Sequence, residues 1–126
     1  MMRLTHALPL AAAVAAILAA GPSSAADLQK GQKLVHQRCE LCHAIVKDKK
    51  KIGPSLFGVV GRKAATEPYF TYSKGMKESG LTWDEATLDK WIEKPRKLVK
   101  TTKMSFPGIH NAEQRADIIA YLKTLK

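Results

Sequence analysis

The residues Cys39-Glu40-Leu41-Cys42-His43 decide how the rest of this 126-residue chain should be interpreted. They contain the only two cysteines of the sequence, and a histidine follows the second one directly. Two thiols at this spacing can each add across a vinyl group of one haem, and the adjacent imidazole can then reach the iron. The pattern therefore predicts a covalently attached haem c at this place.

Two other uses of Cys39 and Cys42 fit the sequence less well. A disulfide over a two-residue gap is typical of thioredoxin-like redox pairs, which lie in a β-α-β context, but strand signals are nearly absent here. A structural zinc site needs about four ligands, whereas Cys39, Cys42 and His43 supply three with no second cysteine cluster. A non-haem thiol redox protein nevertheless stays an alternative. A visible spectrum distinguishes it from a haem protein, because the thiol protein would be colourless.

The N-terminal residues have the pattern of a secretory signal peptide. Arg3 precedes an apolar run from Ala7 to Ala20, and small residues suited to cleavage follow up to Ala26. The sequence predicts that residues 1–25 are removed and that residues 26–126 form one domain. An uncleaved membrane anchor is the alternative, but the apolar run is shorter than the roughly 18–20 residues of a spanning helix. No stable membrane insertion is expected after cleavage.

The charge balance predicts an acidic partner. The whole chain carries a net charge of +10, and removal of Arg3 with the signal peptide leaves 20 basic and 11 acidic residues, a net charge of +9. Such a charge steers association with an acidic surface. Nucleic acid is not an expected partner, because the sequence has no base-reading motif and an exported protein rarely meets DNA.

Hydrophobic periodicity and end signals predict an all-α fold with three main helices. The first spans about Asp27–Arg38, and Asp27 favours its start as a cap. The second opens at Thr82-Trp83-Asp84-Glu85, where Thr82 and Glu85 form a capping box, and it ends before Pro95. A loop is expected over Lys97–His110, and the third helix starts at Asn111, with Gln114 in the position of a capping box. One short helix is expected near Ser73–Ser79. Glycine and proline signals predict loops between these helices, and a haem would organise them.

Four residues could supply a second iron ligand: His36, His110, Met76 and Met104. His36 lies three residues before Cys39 and His110 beside a turn, while Met76 suits the core. Met104 lies in a loop 61 positions beyond His43, far enough along the chain to reach the opposite face of the haem. Histidine and methionine together fill both axial positions, so one-electron exchange is favoured and catalysis at the iron is not.

At this point the chain resembles the class I cytochromes c, in the branch of mitochondrial cytochrome c and bacterial cytochrome c2. The resemblance covers nearly all of Gly31 to Lys126. Its matching stretches are Cys39-x-x-Cys42-His43, Gly53-Pro54-Ser55-Leu56, Gly61-Arg62-Lys63, Phe70-Thr71-Tyr72, Thr82-Trp83, Thr102-Lys103-Met104 and Ile119-Ala120-Tyr121-Leu122-Lys123. It implies the class I cytochrome c fold, with three main helices and loops wrapped around one covalently attached haem.

The resemblance also implies roles for individual residues. The thioether bonds would be formed by Cys39 and Cys42, and the axial iron ligands would be His43 and Met104. The Pro54 carbonyl would contact the other ring nitrogen of His43. The residues on the propionate side of the haem would be Arg62, Tyr72, Trp83 and Thr102, and the crossing of the first and last helices would involve Gly31, Val35, Ile118 and Tyr121.

The function implied is that of a soluble, monomeric, periplasmic electron carrier and not an enzyme. Its haem iron would cycle between Fe(II) and Fe(III) among membrane respiratory or photosynthetic complexes, such as a bc1 complex and an oxidase or reaction centre. Docking on their acidic faces would use a basic ring: Lys33, Arg38, Lys51, Arg96, Lys97 and Lys103. A haem enzyme or gas sensor, in which Met104 leaves the iron, is the alternative.

Three residues depart from the pattern of the mitochondrial relatives. Met76 stands where these usually have an asparagine, Trp91 replaces a tyrosine, and Thr101 replaces a flexible glycine of the distal loop. These departures are expected to affect the reduction potential and the stability of the loop that carries Met104.

Overall fold

The computed structural model describes residues 24–126. They form α1 (Leu28–Arg38), α2 (Lys74–Glu78), α3 (Glu85–Glu93), α4 (Pro95–Leu98) and α5 (Ala112–Leu122). This part of the chain contains no β-strand, and one isolated antiparallel bridge pairs Lys63 with Thr82. The predictions of an all-α fold, of three main helices and of a short helix near Ser73–Ser79 are confirmed. Residues 1–23 of the predicted signal peptide lie outside the described residues.

Helices α1 and α5 pack closely because Gly31 has no side chain. A Cβ atom at Gly31 would collide with the backbone carbonyl of Asp117 in α5. Val35 and Ile118 are fully buried, at 0% exposure, and each such side chain stabilises the fold by about 1.5–3 kcal/mol. The crossing expected at Gly31 is therefore present, and it fixes the direction in which α1 leads into Cys39.

Side-chain caps begin α1 and α5 as the sequence predicted. Asp27 accepts a hydrogen bond from the Lys30 N–H at 3.0 Å, and Asn111 accepts one from the Gln114 N–H at 3.0 Å. Each cap satisfies one of the N–H groups that a helix start leaves without a partner.

The prediction that Thr82 caps α3 is wrong. Asp84 is the N-cap, and its carboxylate accepts a hydrogen bond from the Thr87 N–H at 2.8 Å. Thr82 instead forms the bridge with Lys63. Because this extended pairing includes Thr82, the helix begins only after it.

Pro95 both follows one helix and begins another. Helix α3 ends at Glu93, as the proline predicted. Pro95 then occupies the first turn of α4, where its fixed φ angle suits a helix and its missing N–H is not needed. The four residues Pro95–Leu98 are thus helical, so the prediction of a loop from Lys97 onward was wrong at Lys97 and Leu98.

The hydrophobic core lies between these helices and the long loops. Its two tryptophans, Trp83 and Trp91, are in contact, with ring centroids 5.1 Å apart. Trp91 and Met76, two of the residues that depart from the mitochondrial pattern, are both core residues at 8% exposure. Among residues 24–126, no helix has the length and apolar character that crossing a membrane requires.

Candidate haem-attachment site

The end of α1 places both cysteines and His43 in one turn. Cys39 is the C-cap of α1, and its N–H donates to the Val35 carbonyl at 2.8 Å. The Cys39 carbonyl then accepts from the Cys42 and His43 N–H groups at 3.0 and 2.9 Å. The two cysteines are not joined in a disulfide. The turn therefore presents two separate thiols and one imidazole from a single short stretch of backbone.

The His43 ring is oriented by Pro54. His43 Nδ1 lies 2.6 Å from the Pro54 carbonyl oxygen, which only accepts hydrogen bonds, so Nδ1 carries the proton. Burial lowers the pKa of His43, and this effect exceeds the opposite one of the Pro54 hydrogen bond. The imidazole is consequently neutral, and Nε2 has the lone pair that a metal ligand needs.

Gly53 forms the wall behind the His43 ring. A Cβ atom at Gly53 would collide with the imidazole. The Gly53 N–H donates to the Cys42 carbonyl at 2.7 Å, so the loop that contains Pro54 is joined directly to the cysteine turn. Sequence analysis had noted Gly53 only as part of a matching stretch, although its place directly before Pro54 was a usable signal.

The donor set fits a covalently attached haem. Burial raises the pKa of the half-buried Cys39 thiol to about 11, while Cys42 is exposed. Thioether formation needs two thiols that are not in a disulfide, and a histidine bound to iron needs a hydrogen-bond acceptor at its other nitrogen. Both are present. Residues 24–126 contain no group of three His, Cys, Asp or Glu side chains placed to hold a metal ion.

Met104 lies in an irregular segment between α4 and α5. It is half-buried and packs against the hydrophobic core. Its N–H donates to the Oγ1 of Thr102 at 3.2 Å, and Thr102 is itself buried. Among the other ligand candidates, Met76 is a core residue, and His36 and His110 are exposed. The role of Met104 as the second axial ligand stays a prediction. The locations of the four candidate residues favour Met104 over the other three.

Gly75 and Thr101 form a contact that sequence analysis missed. Gly75 lies in α2, and a Cβ atom there would collide with the Thr101 Oγ1. The threonine that replaces the expected glycine before Met104 is therefore accommodated by a glycine on the neighbouring helix. No signal in the sequence could have connected Gly75 with Thr101, because the two residues are far apart in the chain.

Three of the four residues predicted on the propionate side lie close together. The Trp83 N–H donates to the Arg62 carbonyl at 2.8 Å. The Arg62 guanidinium donates to the Glu67 carboxylate at 2.6 Å, and the Glu67 N–H donates to the Tyr72 hydroxyl at 3.2 Å. Glu67 therefore connects Arg62 with Tyr72, a role that sequence analysis did not foresee. Thr102, the fourth residue, contacts Met104 instead.

The residues predicted to dock with partners are all on the surface. They are Lys33, Arg38, Lys51, Arg96, Lys97 and Lys103. The ion pairs found within residues 24–126 include none of these side chains. Two of them bond to the backbone instead: Lys51 Nζ donates to the Glu40 carbonyl at 2.7 Å, and Lys103 Nζ donates to the Thr71 carbonyl at 3.4 Å.

Comparison with known proteins gives one consistent result. The family model described as Cytochrome c matches residues 28–126. Cytochrome c2 of Rhodopila globiformis is 47% identical over 106 residues, which cover 84% of this chain and 100% of that protein. Cytochrome c of Euglena viridis is 43% identical over 79% of this chain and 98% of its own length. The solved structure of cytochrome cH from Methylobacterium extorquens has a TM-score of 0.73 and 45% identity, and the match covers 78% of this chain and 98% of that one.

Proposed function

Because the chain belongs to the cytochrome c family, we propose that it is a periplasmic one-electron carrier between membrane respiratory or photosynthetic complexes. Membership itself makes the protein a haem electron carrier and not an enzyme. The fold is the all-α class I cytochrome c fold, and the cofactor is a covalently attached haem c. The proposal includes the residues that attach the haem, the iron ligands, the basic docking ring and the periplasmic location.

The orientation of His43 is the observation that carries the proposal. Its Nδ1 lies 2.6 Å from the Pro54 carbonyl oxygen, Gly53 leaves room for its ring, and it directly follows the second of two free cysteines in the chain. Cys39 and Cys42 would hold the haem through thioether bonds, and His43 would bind the iron. A hydrogen bond at Nδ1 raises the basicity of the ligand and fixes its tautomer.

Met104 would complete the axial coordination. A haem bound by histidine and methionine supplies one-electron exchange, and the thioether ligand raises its reduction potential. Thr102 would position Met104 through the hydrogen bond to the Met104 N–H. Because His43 and Met104 would both hold the iron, substrates would be kept from it.

The propionate side would be held by Arg62, Tyr72, Trp83 and Thr102. The cation of Arg62 and the hydroxyl of Tyr72 suit carboxylates. The backbone bond between Arg62 and Trp83 keeps the arginine segment in place. These residues would orient the haem and compensate the charge of its acid groups.

The attachment site is tested by tryptic digestion of protein matured in a host with a haem-attachment system. Cleavage after Arg38 and after Lys47 releases the peptide 39–47, which contains both cysteines. We expect this peptide to carry the mass of one haem. Substitution of both cysteines by serine should give a colourless product, and a wild-type peptide without added mass would contradict the proposal.

The docking ring is tested by electron transfer to a purified oxidase at increasing salt. Substitution of Arg96 and Lys97 by glutamine should lower the association rate at low salt, because charges at the rim of an interface act mainly on this rate. Lys90→Gln is the control, since Lys90 is exposed and lies outside the ring. A wild-type rate that does not change with salt would remove docking from the proposal.

The compartment is tested by fractionation and N-terminal sequencing. We expect the haem-containing protein in the periplasmic fraction, with its sequence starting at Ala26 or Asp27, and a monomeric mass on gel filtration. Retention of residues 1–25 in a membrane fraction would instead support the membrane anchor.

A further inference from the structure

Glu67 lies between two of the residues proposed to hold the haem propionates. Its Oε1 accepts a hydrogen bond from Arg62 at 2.6 Å, and its N–H donates to the Tyr72 hydroxyl at 3.2 Å. The side chains of Arg62 and Glu67 are only 16% and 15% exposed. A pair shielded in this way is weakly screened by salt, so its charges act on their surroundings more strongly than those of a surface pair.

Arg62 keeps hydrogen-bonding capacity despite this pair. A guanidinium has five N–H groups. Three are directed to the Phe57 carbonyl at 3.1 Å, the Ser55 carbonyl at 2.9 Å and the Glu67 carboxylate at 2.6 Å. The N–H at Nε and one at Nη2 are left over. Arg62 can therefore still donate to a propionate, but Glu67 already compensates its positive charge.

A second donor lies beside the same carboxylate. The Tyr69 hydroxyl oxygen is buried and makes no well-formed hydrogen bond in the described residues. The nearby Glu67 carboxylate raises the pKa of Tyr69 to about 12, chiefly by its interaction with the hydroxyl. Tyr69 thus stays a neutral donor. Among Arg62, Glu67 and Tyr69, the negative charge therefore lies on the Glu67 carboxylate.

We propose that Glu67 is a built-in counter-ion of Arg62 that lowers the midpoint potential of the haem. The inference rests on the proposed function, because it requires the propionates to lie at Arg62. Oxidation adds a positive charge to the haem, and a nearby buried carboxylate stabilises that state. Net charge and hydrogen bonding around a redox centre are established determinants of its potential. Glu67 would set the potential without touching the iron ligands.

The test compares midpoint potentials by optical redox titration. Glu67→Gln removes the charge but keeps the shape and an oxygen that accepts from Arg62, so the potential should rise. Glu67→Asp keeps the charge and should stay nearer the wild-type potential. Glu78→Gln is the control, because Glu78 is 66% exposed in a loose pair with Lys74, and its effect should be small. The rise in Glu67→Gln should persist at about 1 M salt, where the Debye length is about 3 Å.

Two outcomes would overturn the proposal in distinguishable ways. If Glu67→Gln only lowers the urea midpoint and has the potential of the wild type, the ion pair is structural and the proposal is wrong, while the proposed function stands. If the wild-type protein contains no haem by intact mass, both fail together. A potential that rises equally in Glu67→Gln and Glu67→Asp would also contradict it, because charge would then not be the cause.

Discussion

The proximal segment (residues 39–56) and the distal segment (residues 99–108) are held in place by different means. In the proximal segment the backbone bonds to itself at short distances, as between Gly53 and Cys42 at 2.7 Å and between Leu56 and Ala44 at 2.8 Å. The Ser55 hydroxyl adds a bond of 2.6 Å to the Val46 carbonyl. This segment therefore carries most of its own geometry.

The distal segment depends on its neighbours. Its internal bonds are fewer, and they run from the Met104 N–H to Thr102 Oγ1 at 3.2 Å and from the Thr102 N–H to the Val99 carbonyl at 3.1 Å. It packs on Gly75 at one end, and a Cβ atom at Gly108 would collide with the Glu93 carbonyl at the other. The comparison teaches that one proposed iron ligand, His43, is placed by local backbone and the other, Met104, by tertiary packing.

The largest effect is expected from His43→Ala. Without the proximal imidazole the iron loses its locally positioned ligand, and because ligand binding is coupled to folding, haem-containing protein should fall to nearly none. Absorbance of haem per polypeptide measures this. His36→Ala is the control, since His36 is exposed and pairs only with Glu40. A His43→Ala protein with the wild-type spectrum would show that His43 is not an iron ligand and would contradict the role of the proximal segment.

Gly53→Ala should be strongly destabilising for a change that adds a single methyl group. The His43 ring is fixed by Pro54 and cannot move aside, so we expect a loss of about 2–3 kcal/mol in the free energy of unfolding. Urea unfolding measures it. Gly58→Ala is the control, because Gly58 has a φ of 66° but open space around it, and it should cost only about 1 kcal/mol of backbone strain. Equal losses in both variants would mean that the proximal wall is not rigid.

Gly75→Ala should lower the free energy of unfolding less than Gly53→Ala does. The sign of its effect should depend on the residue at position 101. Here the added methyl meets the Thr101 hydroxyl, which can rotate, so the cost is about 1 kcal/mol. In a Thr101→Ala background the same change should stabilise by about 0.5–1 kcal/mol, because alanine favours a helix over glycine. A double-mutant cycle in urea measures this coupling. Additive effects would show that α2 does not position the distal segment.

The smallest effect is expected outside both segments, at Asp84. The hydrogen bond from the Thr87 N–H lowers the pKa of Asp84 below its ordinary value of 3.8. Its contribution to stability is therefore complete above that value and is lost as the pH falls through the lower value of the folded protein. Asp84→Ala should flatten the acid side of a stability profile measured by thermal unfolding. Thr82→Ala should leave that side unchanged, and an Asp84→Ala profile with the acid slope of the wild type would contradict the role of the Asp84 carboxylate.

The sequence predicted what depends on neighbouring residues. The cysteine turn, the caps at Asp27 and Asn111 and the end of α3 before Pro95 are each encoded within a few positions. The close approach of α1 and α5 at Gly31 was implied by the resemblance to the class I cytochromes c.

What the sequence did not reveal depends on contacts between distant positions. Thr82 fits a capping box locally, but its pairing with Lys63 moves the start of α3 to Asp84. Glu67 has no periodic signal, and only the folded loop brings its carboxylate to Arg62. Thr101 departs from the expected glycine, and its accommodation is explained only by the contact with Gly75 in α2. Tertiary packing decided each of these cases.

The proton NMR spectrum of the reduced protein tests the proposed axial ligation most directly. The haem ring current shifts the methyl group of an axial methionine far upfield of all other side-chain signals. We predict one such signal in the wild type, its loss in Met104→Leu and its retention in Met76→Leu. A signal that survives in Met104→Leu, or that disappears in Met76→Leu, would contradict the assignment of the distal segment as the source of the second ligand.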